Sequence, residues 1–184
     1  MGLVCGVGIN DLAKGAIGAQ KPEYYKLWTR ILNRCYNPIV HAKQPSYERC
    51  SISDSWVNLS DFKKFHDDKF IPTWELDKDL IKPGNTIYGP EHCVFIPKWL
   101  NRFARGCDLK TGTSYNKQHK LFGTYCHDPV ENKKVFLGYY KTVEDAHRQW
   151  LRYKLNLALQ YKDLCDSIDG RLYDGIVRKL TVED

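Results

Sequence analysis

Apolar positions recur at helical spacing in one early stretch and alternate at strand spacing in several later ones. Tyr24, Leu27, Trp28, Ile31, Leu32 and Cys35 line one face of "KPEYYKLWTRILNRCYNP", residues 21–38, and predict an amphipathic helix with Arg30 and Arg34 on another side. Pro22 suits the first turn, Glu23 suits the positive end of the helix dipole, and Asn37-Pro38 stops the helix. Residues 1–20 are Gly-rich and non-periodic and read as a loose arm, and residues 38–48 read as a polar loop. A short alternating run follows in "CSISDSW", and Asn58 with Asp61 offers a capping pair for a short helix carrying Phe62, Phe65 and His66. After a polar stretch, "CVFIPKWLNRF" reads as a buried strand passing into a helix near Pro97. The order is strand, polar loop, strand, helix.

A second unit starts near Lys110. "GTSYN", "KLFGTYCH" and "KKVFLGYY" read as three strands separated by turns at Asp128-Pro129 and Glu131-Asn132. Thr142 to Asp145 forms a capping box, and Val143, Ala146, Trp150, Tyr153 and Leu157 share a helix face beyond it, with Trp150 and Tyr153 expected in the core. The chain is therefore expected to be α+β: an arm at 1–20, one module at 21–105, a second at 110–165, and an unassigned tail at 166–184.

Composition sharpens this picture in three ways. An apolar fraction of 42% over 184 residues supports a real core, and no segment reaches the roughly 20 apolar residues that span a bilayer. The start, "MGLVCGVGIND", has neither the basic nor the apolar region of a secretory signal, so a cytosolic protein without membrane contact is expected. Seven scattered cysteines (Cys5, Cys35, Cys50, Cys93, Cys107, Cys126, Cys165) without a C-x-x-C pair argue for reduced thiols. A structural zinc on Cys35, Cys50 and Cys93 with a histidine is the alternative to buried thiols, and buried thiols are preferred. Charge is unevenly spread: residues 98–162 hold thirteen Lys and Arg against five Asp and Glu, a net +8, leaving the rest of the chain at −2. Such a basic segment is the electrostatic footprint of a nucleic-acid-binding module.

The candidate chemistry lies in "ELDKDLIKPGNTIYGPEHC", residues 75–93. Phosphodiester hydrolysis needs an activated water and a cation at the phosphoryl oxygens, and Mg²⁺ takes few, oxygen-rich protein ligands. Asp77 and His92, brought together by a strand hairpin, could supply a one-metal site. Asp79 is a further ligand or a turn residue, and Asn85 could pin the loop.

With these residues in place the chain resembles phage-encoded HNH-type endonucleases, a group that includes homing endonucleases. The resemblance covers about residues 22–103 and rests on the order of "W-x-x-I-L-x-R-C-Y-N" at Trp28–Asn37, then Trp56, "D-F-K-K-F", and "L-D-K-D … G-N-x-x-Y-x-P-E-H-C-x-F-x-P". It implies a ββα-metal module binding Mg²⁺ or Mn²⁺, with Asp77 and His92 as ligands and Asn85 as the middle Asn. Lys78 stands where the general-base histidine would be, and an ammonium is the wrong protonation state for a base at neutral pH. Three readings stay open: an active nuclease using another base such as His66 or a metal-bound hydroxide, a degenerate site that keeps the fold and DNA contact, or a polar loop unrelated to metal.

Residues 113–154 resemble the ethylene-response-factor (Apetala) type of DNA-binding domain, through Leu137, Gly138, Tyr139, Thr142, Glu144 or Asp145, and Ala146. That resemblance implies a three-stranded sheet lying in the DNA major groove with a helix behind it. Lys117, Lys120, Lys133, Lys134 and Lys141, with Tyr115, are the expected DNA contacts, and Arg148 and Arg152 flank them on the helix. Lysines in place of arginines favour phosphate contact over base reading.

The function expected is DNA binding by a phage-type protein, with metal-dependent cutting or nicking of duplex DNA. Its alternative is a degenerate scaffold acting as a DNA-binding regulator or as an inhibitor of a host defence protein. RNA binding ranks lower, because no stacked-aromatic signature is read on the sheet.

Overall fold

The first predicted helix forms as α1, Glu23–Tyr36, with Pro22 at its N-cap and Trp28, Ile31, Leu32 and Cys35 buried along one side. The computed structural model describes residues 2–13, 15–105 and 111–181; Cys107 and the predicted start at Lys110 lie outside the described residues. Asn37-Pro38 does end α1, but it also opens α2, Pro38–Lys43: the Asn37 side chain accepts the Ile39 N–H at 2.9 Å. Part of the expected loop is thus helical, since an Asn N-cap followed by Pro is a start signal as well as a stop.

The arm is docked rather than loose. The Ile9 N–H donates to the Val57 carbonyl and the Leu59 N–H to the Ile9 carbonyl, both at 2.9 Å. This continues the chain after β1, Ser51–Ile52, into α3, Leu59–Lys69. The Asn58 side chain makes no capping bond to α3. Asp11 of the arm takes that place, accepting the Ser60 N–H at 2.9 Å and the Ser60 hydroxyl at 2.5 Å. An acid at a helix N-terminus meets both an orphan donor and the favourable end of the dipole.

Beyond α3 come β2, Trp74–Asp77, β3, Ile87–Tyr88, β4, Val94–Pro97, and α4, Lys98–Phe103. The strand–loop–strand–helix order is therefore present along the chain. The pairing differs from a simple hairpin: β2 pairs with β4, whereas β3 pairs in parallel with β1, matching Ser51 to Ile87 and Ile52 to Tyr88. The core of the first unit joins Trp28, Leu32, Cys35, Trp56, Phe62 and Tyr88 among others. The Trp28 indole N–H donates to the Trp56 carbonyl at 2.8 Å, so this large ring is buried without a lost donor.

The chain divides into two compact units, Met1–Phe95 and Ile96–Asp184. In the second, β5, Thr113–Asn116, β6, Leu121–Asp128, and β7, Lys133–Tyr140, form an antiparallel sheet in the order β5-β6-β7. Helix α5, Val143–Gln160, packs on one face, and its predicted capping box is present: Thr142 Oγ1 accepts the Asp145 N–H at 3.1 Å. Trp150 is buried as expected and Tyr153 is half-buried. Gly112 is required here, having φ +76° and a Trp150 ring where a Cβ would stand. The tail forms α6, Lys162–Ile168, and α7, Leu172–Thr181, which packs on α5 and buries Leu172, Ile176 and Leu180.

Candidate functional site

The polar stretch between β2 and β4 is built around its own backbone. Asp77 Oδ1 accepts the N–H groups of Asp79 and Leu80, both at 2.8 Å, which tightens the turn leaving β2. Burial raises the Asp77 pKa, against those two bonds. Asn85 is buried and spends its amide locally: Nδ2 donates to the carbonyls of Lys78 and Ile87 at 2.8 Å, and Oδ1 accepts the Ile87 N–H at 3.0 Å. It staples the two ends of the loop.

Lys78 is held inside this frame. Its side chain is only 12% exposed; Nζ donates to Asp79 Oδ1 at 2.5 Å and to the Asn85 carbonyl at 3.1 Å, and lies 5.8 Å from the Tyr88 ring centroid. Burial disfavours its charge, but the bond and attraction to Asp79 outweigh that and hold its pKa above the usual lysine value. Lys78 is therefore held as a charged hydrogen-bond donor to Asp79 and the Asn85 carbonyl. On the far side of Tyr88, Arg34 Nη1 donates to the phenol oxygen at 3.4 Å and the guanidinium lies over Tyr47 at 5.2 Å. Arg34 was legible only as a polar face of α1, because its partners come from distant segments.

The structure brings Asp77, Lys78, Asp79 and Asn85 together, and His66 stands in other surroundings. His92 and Asp77 share no hydrogen bond or ion pair among the described residues, and His92 Nδ1 is sequestered without a hydrogen-bond partner. His66 is packed among aromatic rings, stacked on Phe70 at 4.3 Å and edge-on to Phe95 at 6.1 Å. Both its ring nitrogens lack hydrogen bonds, with Asp67 3.7 Å from Nδ1, and burial lowers its pKa.

As a metal donor set the hairpin is divided. Asp77 Oδ1 is taken by two backbone bonds and Asp79 by the Lys78 ammonium, whose charge opposes a divalent cation beside it. Among the described residues, no three His, Cys, Asp or Glu side chains are grouped to hold a metal ion. A site of two protein ligands, as the HNH resemblance implies, is smaller than that. Cys35, Cys50 and Cys93 all lie in the first unit's core, where burial pushes the Cys35 and Cys93 thiols up to about 12.

The sheet of the second unit has two unlike faces. Thr124, Cys126 and Asp128 of β6 are buried on the side of α5, and the alternating Tyr125 and His127 are more exposed. On this open face Tyr125 and Phe136 stand 4.9 Å apart, Phe136 and Tyr139 5.0 Å apart, and His119 adjoins Tyr139 at 5.1 Å. Lys134 Nζ lies 4.3 Å over the Tyr125 ring. The arrangement depends on a β-bulge: Thr124 faces Gly138 but Tyr125 faces Phe136, leaving Leu137 as the extra residue, and Gly138 takes φ +121°. Strict alternation would send Phe136 and Tyr139 to opposite faces; with the bulge they share one, as a cluster whose ring pairs are tilted or edge-to-face.

The lysines expected to meet DNA bracket these rings. Lys117 and Lys120 occupy the β5–β6 turn, with Lys141 just past β7 at the same end; Lys133 and Lys134 open β7 at the other end, and all five are exposed. Tyr115 is exposed on β5 and packs on Phe122 at 5.1 Å. Arg148 is ion-paired with Asp145 at 2.9 Å on α5, and Arg152 is exposed on the same helix, which packs behind the sheet. No helix among the described residues is long and apolar enough to cross a membrane. Comparison with protein-family models, curated proteins and solved structures finds no match to this chain.

Proposed function

We propose that this protein binds double-stranded DNA through the open face of the β5-β6-β7 sheet, and that the polar hairpin of the first unit is a rigid, non-cutting scaffold. The observation that carries the binding half is the open face itself: a lysine cluster at each end and aromatic rings between them. Eight-residue strands at about 3.3 Å per residue separate those clusters by some 20–25 Å, the scale of several backbone phosphates. A twisted β-ribbon of this kind fits a major groove, and lysines give phosphate attraction with little base selectivity. The scaffold half is supported by Lys78, a fixed ammonium standing where a base would be needed.

Fluorescence anisotropy of a labelled duplex across a salt series tests the binding half. Affinity should fall with salt, and Lys→Gln at Lys120, Lys133 or Lys134 should each reduce the log–log slope by about 1. A duplex affinity insensitive to salt and to all three substitutions sinks the assignment. Tighter binding of the matching single strand transfers the sheet to unpaired nucleic acid, which the aromatic rings favour. A second reading, metal-dependent nicking with Mg²⁺ or Mn²⁺ on Asp77 and His92, is favoured by His92 Nδ1, which is buried without a hydrogen-bond partner. A phage-type setting, with a host defence protein as partner, belongs to the same scaffold reading.

A further inference from the structure

The second unit contains a cavity of about 700 Å³, lined by α4, α5 and the β6–β7 end of the sheet. This volume is in the range of small-molecule sites. Its walls combine two kinds of side chain. Trp99, Tyr125 and Trp150 supply aromatic surface, and Arg102, Lys134 and Lys154 supply cations; every charged residue lining it among those described is Lys or Arg. Lys154 Nζ lies 3.8 Å over the Phe103 ring and 5.6 Å from that of Trp150, so ammonium and aromatic wall form one surface. The Trp99 ring is braced edge-on by Tyr161 at 4.9 Å, and Tyr161 in turn donates to Asp128 Oδ1 at 3.1 Å. Tyr125 and Lys134 also belong to the open sheet face, so the cavity opens beside the rings described above.

We propose that this cavity is a nucleotide site, holding a base against its aromatic walls and the attached phosphate on Arg102, Lys134 and Lys154. A base presents a π face that stacks on Trp or Tyr whatever its sequence identity. A phosphate attached to it is matched by guanidinium and ammonium donors, whose charge-assisted bonds are stronger than neutral ones. Inorganic phosphate would leave the aromatic surface unused, and a nucleoside would leave the cations unused; a nucleotide uses both. The nucleotide can be free or an unpaired residue of a strand.

The two tryptophans in the wall make the site self-reporting. The full-length protein is titrated, with intrinsic fluorescence as readout, against each common ribonucleoside monophosphate, the matching nucleosides, inorganic phosphate and a short single-stranded DNA. Saturable quenching by a monophosphate is expected, with nucleoside and inorganic phosphate at least about tenfold weaker. Arg102→Gln, an exposed position, and Lys154→Gln should each weaken it about tenfold, while Lys179→Gln, exposed on α7 and outside the cavity lining, leaves it unchanged. Quenching by the oligonucleotide alone, with the same Arg102 and Lys154 dependence, assigns the site to a strand nucleotide and supports the proposal. Equal binding of inorganic phosphate, indifference to both substitutions in variants whose circular dichroism is native, or no saturation by any nucleotide overturns it. Because Arg102 and Lys154 are not among the lysines bracketing the sheet, failure here is separable from failure of duplex binding.

Discussion

Two buried polar residues of the first unit have opposite consequences. Lys78 is tolerated in a 12% exposed position because Asp79 and the Asn85 carbonyl satisfy it, and Asn85 is itself fixed by three bonds. Among the described residues His66 makes no hydrogen bond and has only Asp67, 3.7 Å from Nδ1, beside it. With its pKa lowered by burial, the folded state favours neutral imidazole, whereas the unfolded chain gains a proton near the ordinary value of about 6.5. Its contribution to stability is complete above that value and is lost as pH falls through it toward the lower folded value. Calorimetry at about pH 7.5 and about pH 5.5 should therefore show a drop in Tm for the wild type and a smaller one for His66→Phe. The raised pKa of Asp77 acts in the opposite direction, but it is common to both proteins and cancels. An equal drop in both would mean that His66 does not titrate on unfolding. The sequence offered His66 as an alternative base; Phe62 and Phe70 lie one helical turn before and after it along α3 and its C-cap and were within reach of that reading, whereas Phe95 comes from β4 and was not.

Elements with strong local signals were legible. The six-residue apolar face of α1, the Thr142 capping box of α5 and the three strands of the second sheet all lie where their patterns put them. What the pattern did not carry was non-local. Strand β3 pairs with β1 rather than returning on β2, and the bulge at Leu137 reverses side-chain alternation in β7. Helix α7 has an apolar face whose partner, α5, is needed to recognise it. The arm is the clearest case, since its role is to cap a helix 49 residues away. Removing that cap by Asp11→Ala should cost about 1 kcal/mol in urea unfolding, with the m-value unchanged. A loss below a few tenths would show that the Ser60 bonds carry no net stability.

At the scale of the whole molecule, charge and shape divide the work between the two units. The first unit has a near-neutral surface chemistry and a core closed around large aromatic rings, with its polar hairpin turned to internal bonding. The second carries most of the net positive charge, an open aromatic face and a basic, aromatic-lined cavity. Asp77, Lys78, Asp79 and Asn85 of the polar stretch assemble through one ion pair and several backbone bonds that no spacing rule encodes. The central claim is binding without cutting, and one gel reads both. Supercoiled plasmid is incubated with the protein and Mg²⁺ or Mn²⁺ and run with and without prior removal of protein. The account predicts a retarded band that returns entirely to supercoiled plasmid once the protein is digested. Nicked or linear plasmid that requires the metal and disappears with His92→Ala would contradict it.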